Sequence, residues 1–157
     1  PYGTAFVKNG YVGRTFIKPK QSSRESSVRV KLNVLREAVE GKRVIMIDDS
    51  IVRGTTRDRI VHMLREAGAK EVHMRVSSPP FLWPCYFGTD VPAREQLIAY
   101  NRTVEEIRQV IGADSLGYLD CSRLRQMAGD LPICTGCFTG NYPLDPPMED
   151  IRGEFEQ

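Results

Sequence analysis

The sequence predicts an α/β fold in which helices flank a parallel β-sheet. The apolar run at residues 44–47 has the composition of a strand that is buried on both faces of such a sheet. Residues 57–67 follow with apolar side chains at the three- and four-residue steps of a helix, and residues 72–76 form a second predicted strand. Because strand, helix and strand in this order make a βαβ unit, the two strands should be parallel.

The segments on either side of this unit are predicted from the same kinds of pattern. Residues 1–27 are polar and rich in Gly, and we expect a mobile segment there. From Val28 the apolar residues take helical spacing as far as Gly41, which is expected to end the helix. The downstream pattern predicts an irregular stretch over residues 77–92, short helices over 93–99 and 103–111, a strand over 116–119 and a helix over 121–128.

Composition and charge exclude several classes of function. The chain has 157 residues, 41% hydrophobic and 27% charged, which suits one soluble globular domain in the cytoplasm. A net charge of +2 is too weak to indicate a nucleic acid or a membrane as partner, although it is compatible with a small anionic substrate. The chain begins at Pro1 with neither an initiator Met nor a signal peptide, so we expect a processed product or a fragment.

The loop between the first predicted strand and its helix combines two carboxylates with small and hydroxyl-bearing residues. Its members are Asp48, Asp49, Ser50, Ile51, Val52, Arg53, Gly54, Thr55 and Thr56. Backbone N–H groups in such a loop and in the first helical turn have no helical partners, and with the helix dipole they can hold a phosphate. Gly54 permits close approach of the backbone to that phosphate.

The two carboxylates need a different role, because they repel a phosphate. Their oxygens suit vicinal hydroxyl groups or a hard cation such as Mg²⁺. A phosphate together with two sugar hydroxyls describes a ribose 5-phosphate. The alternative is a strand end at which Asp48 and Asp49 are simply solvated and a Thr caps the next helix.

These residues resemble the phosphoribosyl pyrophosphate (PRPP) motif of type I phosphoribosyltransferases. The form Ser50-Ile51-Val52-Arg53-Gly54-Thr55-Thr56 is similar to the glutamine PRPP amidotransferases, which start purine synthesis. Further segments that match this family are residues 11–17, 28–33, 77–80, 85–90 and 134–140. The resemblance implies the type I phosphoribosyltransferase fold, incomplete at its N-terminal side. Residues 1–131 would belong to that domain, with a flexible loop region at 1–27 and the PRPP loop at 44–56, and residues 132–157 would form a Cys-containing tail.

The resemblance also implies cations for the pyrophosphate group of PRPP. The family match favours Arg14 and Lys31 as catalytic residues, followed by Arg29, and places residues 11–17 in a loop that closes over PRPP. Asp48 and Asp49 would bind the ribose hydroxyls and Mg²⁺. The alternative for the basic residues is a solvated face with no ligand.

Four cysteines occur, and the absence of secretion signals favours metal, redox or packing roles over disulfides. Cys85, Cys134 and Cys137 fall where cluster-bearing members of the family place three ligands of a [4Fe–4S] cluster, the fourth lying upstream of this chain. Cys121 is not at a ligand position, and we expect an ordinary helical residue there. A zinc site that uses all four cysteines is the rival interpretation.

The resemblance implies a bifunctional enzyme in its full-length form. A glutaminase domain frees ammonia, and the phosphoribosyltransferase domain uses it to displace pyrophosphate from PRPP, giving 5-phosphoribosylamine. This chain contains no glutaminase and is expected to be inactive alone. Purine nucleotides are the expected inhibitors, and a homo-oligomer is the expected assembly. The alternatives are a non-catalytic PRPP-sensing regulator with the same fold, and a salvage phosphoribosyltransferase, for which the sequence offers no nucleobase-binding hood.

Overall fold

The computed structural model describes residues 2–8, 32–53, 55–88 and 93–145. In these ranges the strands are β1 (Phe6–Lys8), β2 (Leu32–Val34), β3 (Arg43–Asp48), β4 (Glu71–Val76) and β5 (Ser115–Tyr118). The α-helices are α1 (Arg36–Val39), α2 (Thr55–Glu66), α3 (Val104–Ile111), α4 (Cys121–Ala128) and α5 (Gly136–Thr139). None of the helices within these ranges is long and apolar enough to cross a membrane.

Strands β3, β4 and β5 form a parallel sheet in that order. The register pairs Asp48 with Val76 and Val76 with Tyr118, so the carboxyl ends of all three strands lie at one edge. The segment after each strand therefore leaves the sheet at this edge, which is where open α/β sheets bind ligands. The predicted βαβ unit and the α/β class are confirmed.

The main core lies on one face of this sheet. Val72, Met74 and Val76 of β4 are buried in a cluster with apolar residues of α2 and α3. Helix α2 contributes the buried side chains Val61 and Leu64, which the periodicity predicted. The helices predicted near residues 103–111 and 121–128 and the strand near 116–119 are confirmed as α3, α4 and β5.

The helix predicted from Val28 to Gly41 is wrong over much of its described part. Residues 32–34 form strand β2, which pairs antiparallel with β1, and only Arg36–Val39 is helical. Leu32 and Val34 are half-buried while Asn33 between them is exposed, so the burial alternates as in a strand. Gly41 does follow the short helix with φ of 71°, a conformation that favours glycine.

The prediction that residues 44–47 are buried on both faces is also wrong. Val44 and Met46 pack against the core, whereas Ile45 and Ile47 are 64% and 76% exposed. The helices of the core pack on one face of the sheet, and the described residues leave these two side chains of the other face largely uncovered. The helix predicted over residues 93–99 is reduced to one 3₁₀ turn, Arg94–Gln96.

Candidate functional site

The predicted carboxylate pair lies at the carboxyl edge of the sheet. Asp48 ends β3, and its carbonyl oxygen accepts hydrogen bonds from Ser77 N at 2.9 Å and Ser77 Oγ at 2.8 Å. Asp49 N donates to Asp48 Oδ1 at 3.0 Å, and Ser50 Oγ donates to Asp49 Oδ1 at 3.1 Å. The loop after β4 therefore fixes the point where the carboxylate pair begins.

The rest of the loop is anchored in the core. Ile51 is 1% exposed and packs in the main apolar cluster. The carbonyl oxygen of Val52 accepts a hydrogen bond from Ile98 N at 2.8 Å. Helix α2 begins at Thr55, two positions after the half-buried Arg53, so its positive dipole end lies next to the loop. This arrangement holds the backbone in place while the Asp49 side chain stays exposed.

An open cavity of about 220 Å³ lies beside the loop. Arg53 and Asp58 border it on one side, and Leu97, Ile98 and Arg102 are among its other lining residues. Among the residues whose side chains the structure describes, Arg53 is the one predicted PRPP residue in its lining. The cavity is therefore separate from the carboxylate pair of Asp48 and Asp49.

Several predicted residues lie outside the described part of the chain. These are Arg14, Lys31 and Gly54, together with Arg29 and the predicted closing loop at residues 11–17. Thr55 and Thr56 begin α2. The assignment of Arg14 and Lys31 as catalytic cations stays a prediction.

The predicted cysteine ligands come from two segments that the structure fastens together. Leu82 N and Trp83 N both donate to the carbonyl oxygen of Cys137, each at 3.0 Å. The turn that carries Cys85 thus lies against the segment that carries Cys134 and Cys137. Cys85 and Cys137 are half-buried, and Cys134 is exposed.

The thiols lie within electrostatic reach of one another. Burial, followed by the nearby thiols of Cys85, Cys134 and Cys121, raises the pKa of the Cys137 thiol to about 11. The thiols of Cys85, Cys134 and Cys121 are therefore all near enough to Cys137 to act on it electrostatically. A metal-free Cys137 is protonated at neutral pH, and metal binding there would release a proton.

The cysteine thiols do not converge on a single metal position. In the described ranges, no group of three or more His, Cys, Asp or Glu side chains could hold one metal ion as it stands. A mononuclear zinc site needs all its ligands on one centre, whereas a [4Fe–4S] cluster takes one thiolate per iron.

Aromatic side chains enclose this region, and the sequence analysis missed them. The rings of Phe81 and Phe138 meet edge to face at 4.9 Å, and those of Tyr86 and Tyr142 at 5.1 Å. The Arg94 guanidinium lies 3.4 Å from the centre of the Trp83 ring. The sequence feature that could have indicated this aromatic enclosure is the run of aromatic residues around Cys85, Trp83-Pro84-Cys85-Tyr86-Phe87.

Comparison with known proteins gives close relatives with one common description. The chain is 55% identical over 156 residues to an amidophosphoribosyltransferase of Archaeoglobus fulgidus, covering 97% of this chain and 34% of the relative. It is 54% identical over 151 residues to the amidophosphoribosyltransferase of Bacillus subtilis, covering 92% and 32% of the two chains. No family model matches.

Two solved structures resemble the fold. One is described as the allosteric regulatory enzyme of purine biosynthesis, with a TM-score of 0.77 and 54% identity over 92% of this chain and 32% of the other. The second is the glutamine PRPP amidotransferase of Bacillus subtilis complexed with ADP and GMP, with the same TM-score and identity over 92% and 33%. The chain thus spans about a third of the length of the relatives and structures that it matches.

Proposed function

We infer that this chain is part of an amidophosphoribosyltransferase, the enzyme of purine biosynthesis that makes 5-phosphoribosylamine from PRPP and ammonia. The observation that carries this inference is the carboxylate loop at the carboxyl edge of a parallel sheet, in a chain with 55% identity to such an enzyme over 156 residues. The proposal concerns the full-length protein, because the chain spans only a third of its relatives.

The proposed binding mode divides PRPP between the parts of the loop. Backbone N–H groups between Ser50 and Thr56, with the N-terminus of α2, hold the 5-phosphate. Asp48 and Asp49 accept hydrogen bonds from the ribose hydroxyls and contribute oxygen ligands to Mg²⁺. The pinning of Asp48 by Ser77 and of Val52 by Ile98 supports this assignment, because a preorganised site needs little rearrangement on binding.

The proposed reaction is a displacement at the anomeric carbon. Ammonia forms the new C–N bond while the C–O bond to pyrophosphate breaks, and the amine then loses a proton. No side chain of this chain acts as nucleophile. Its contribution is to place the ribose and to stabilise the charge that develops on pyrophosphate, for which Arg14 and Lys31 are the proposed cations.

We propose that Cys85, Cys134 and Cys137 are three ligands of a [4Fe–4S] cluster whose fourth ligand lies outside this chain. Three soft thiolate donors from two adjoining segments match the chemistry that such a cluster needs. When bound, the cluster would supply a covalent cross-link that holds the tail after Pro132 to the Cys85 turn.

Regulation is proposed by analogy with the similar structures, and assembly on the resemblance of the sequence to the family. One similar structure was solved with ADP and GMP, which supports purine nucleotides as inhibitors here. A homo-oligomer in the cytoplasm is the proposed state of the full-length protein.

The test of the function uses the full-length protein with Mg²⁺, PRPP and an ammonium salt, so that no glutaminase activity is required. Pyrophosphate release that depends on ammonium, and that falls in a variant with both Asp48→Asn and Asp49→Asn, is the expected result. Binding of PRPP without pyrophosphate release would contradict the enzymatic assignment and favour a PRPP-sensing regulator with the same fold.

A further inference from the structure

Tyr142 joins the two cysteine segments through contacts on several sides. Its hydroxyl donates a hydrogen bond of 2.6 Å to the carbonyl oxygen of Pro84, the residue before Cys85. Its ring meets that of Tyr86, the residue after Cys85, edge to face at 5.1 Å, and lies 6.2 Å from that of Phe87. One side chain from the tail therefore contacts residues on both sides of Cys85.

Tyr142 is also packed onto the segment that carries the other two thiols. A Cβ atom added to Gly136, which lies between Cys134 and Cys137, would overlap the ring of Tyr142. The ring therefore rests on a backbone surface that only glycine leaves open at this position. The same tail uses a second glycine in this way, because a Cβ on Gly140 would lie 2.8 Å from Cε2 of Trp83.

We propose that Tyr142 is a positioning residue that clamps the Cys85 turn to the Cys134–Cys137 segment, so that the two segments that carry the three thiols are held together before a metal binds. The inference rests on the proposed metal-binding role of these cysteines. It goes beyond that role, because it assigns the assembly of the site to a residue that is not a ligand.

The clamp has a physical reason. Residues 132–135 and 140–145 form no helix or strand, and α5 between them has only four residues. Such a segment has little regular backbone hydrogen bonding to hold it in place. The clamp adds a hydrogen bond, two contacts between rings and the contact with Gly136. These come in addition to the two bonds that Leu82 N and Trp83 N donate to the Cys137 carbonyl. Less ordering is then left to be done when a metal binds.

The test compares conservative variants of the 157-residue chain, prepared metal-free under reducing conditions. Tyr142→Phe removes the hydroxyl and keeps the ring, and Tyr118→Phe makes the same change at a half-buried tyrosine of β5 whose hydroxyl is buried. Gly136→Ala displaces the ring, and Gly88→Ala makes the same change in the Cys85 turn, where an added Cβ meets nothing within 4 Å. Cys85→Ser tests the ligand assignment itself.

Two readouts are measured. The first is Cd²⁺ affinity, from the ultraviolet thiolate-to-cadmium charge-transfer band. Tyr142→Phe should weaken Cd²⁺ binding by about three- to tenfold, the worth of one hydrogen bond. Gly136→Ala should weaken it at least as much, and both controls should match the unchanged chain. The second readout is hydrogen exchange at the amides of Leu82 and Trp83 without metal, which should quicken in Tyr142→Phe and not in Tyr118→Phe.

The outcomes separate the clamp from the metal site. If Cys85→Ser leaves Cd²⁺ binding unchanged, the proposed ligand set is wrong. In that case, and also if the chain with three of the four ligands binds no Cd²⁺, the exchange measurement decides whether Tyr142 holds the turn. If Cys85→Ser weakens binding and Tyr142→Phe changes neither affinity nor exchange, the ligand set stands and the clamp is overturned.

Discussion

Cys121 differs from the other three cysteines at the level of single residues. It is the first residue of α4, whose N-cap Asp120 accepts a hydrogen bond from Ser122 N at 2.8 Å, and it is fixed by that helix rather than by the tail. Its electrostatic effect on Cys137 is the smallest among the thiols. We therefore keep it as a neighbour of the proposed cluster ligands and not as one of them.

The cysteine series gives the corresponding prediction. In full-length protein purified without oxygen, Cys85→Ser, Cys134→Ser and Cys137→Ser should each lose iron and the brown absorbance of the cluster, because each removes one thiolate. Cys121→Ser should keep both. Loss of iron in Cys121→Ser together with retention in Cys85→Ser would show that the ligands are assigned wrongly.

Tyr118 supplies a second residue-level prediction. Its hydroxyl is buried with no hydrogen-bond partner among the described residues, and burial raises the pKa of this phenol to about 12. Because the cost of burying that hydroxyl disappears with it, Tyr118→Phe should raise the free energy of unfolding by about 1 kcal/mol or leave it unchanged.

The contribution of Tyr118 to the free energy of unfolding should fall at high pH. In the unfolded chain the Tyr118 phenol has its ordinary pKa of 10.0, and in the folded protein its pKa is about 12. The stability that comes from this difference is present below pH 10 and is lost as the pH rises towards 12. Denaturant titrations at pH 8 and pH 11 should show a smaller decline in Tyr118→Phe. An equal decline in both proteins would contradict the assignment.

At the scale of elements, Asp114 connects three of them. Its Oδ2 accepts hydrogen bonds from Val72 N at the start of β4, at 2.6 Å, and from Arg65 of α2, at 2.9 Å. The bond from Val72 N, followed by the pair with Arg65, lowers the pKa of the Asp114 carboxyl. This residue precedes β5 and therefore fixes where two parallel strands begin.

Asp114→Ala should lower the free energy of unfolding by about 1–2 kcal/mol near pH 7, because it removes a charged acceptor in a partly exposed site. The difference from the unchanged chain should be present above the ordinary pKa of 3.8 and vanish as pH falls through the lowered pKa. Asp130→Ala, which changes an exposed Asp after α4, should stay within about 0.5 kcal/mol. A loss that persists unchanged below pH 3 would show that the charge is not the cause.

The elements that the sequence predicted correctly are those whose partners lie close by in the sequence. Strand β3, helix α2 and strand β4 follow one another within residues 43–76, so their periodicity and the carboxylate loop between them could be read directly. Strand β2 could not be recognised, because its partner β1 lies about 26 residues upstream and three residues carry no usable period. The Tyr142 clamp was missed for the same reason, since its acceptor Pro84 is 58 residues away in sequence.

At the scale of the whole molecule, the described residues leave two side chains on one face of the parallel sheet largely uncovered. Parallel sheets are normally covered on both faces, yet Ile45 and Ile47 stand largely exposed on adjacent outward positions of β3. The apolar run at residues 44–47 predicted a strand buried on both sides because apolar side chains on both faces of a strand are suited to burial.

We therefore expect the chain alone to associate through this face. Ile45→Thr combined with Ile47→Thr keeps β-branched side chains, and should reduce self-association in sedimentation velocity because it removes exposed apolar surface. The free energy of unfolding should change by no more than about 0.5 kcal/mol per site, as for exposed positions. Val72→Thr, a matched change on the buried face, should lower it markedly. Destabilisation of similar size in both variants would contradict the exposure of Ile45 and Ile47.

The most direct test of the central claim is a calorimetric titration of the protein with PRPP in the presence of Mg²⁺, comparing Asp49→Asn with Asp58→Asn. Asp49 belongs to the carboxylate pair, whereas Asp58 is an exposed carboxylate in the first turn of α2. Loss of a charge-assisted bond should weaken binding in Asp49→Asn by about 1.5–3 kcal/mol, which is roughly ten- to hundredfold in Kd. Asp58→Asn should bind no more weakly than the unchanged protein. Unchanged affinity in Asp49→Asn and in Asp48→Asn would contradict the claim that this loop binds the ribose of PRPP.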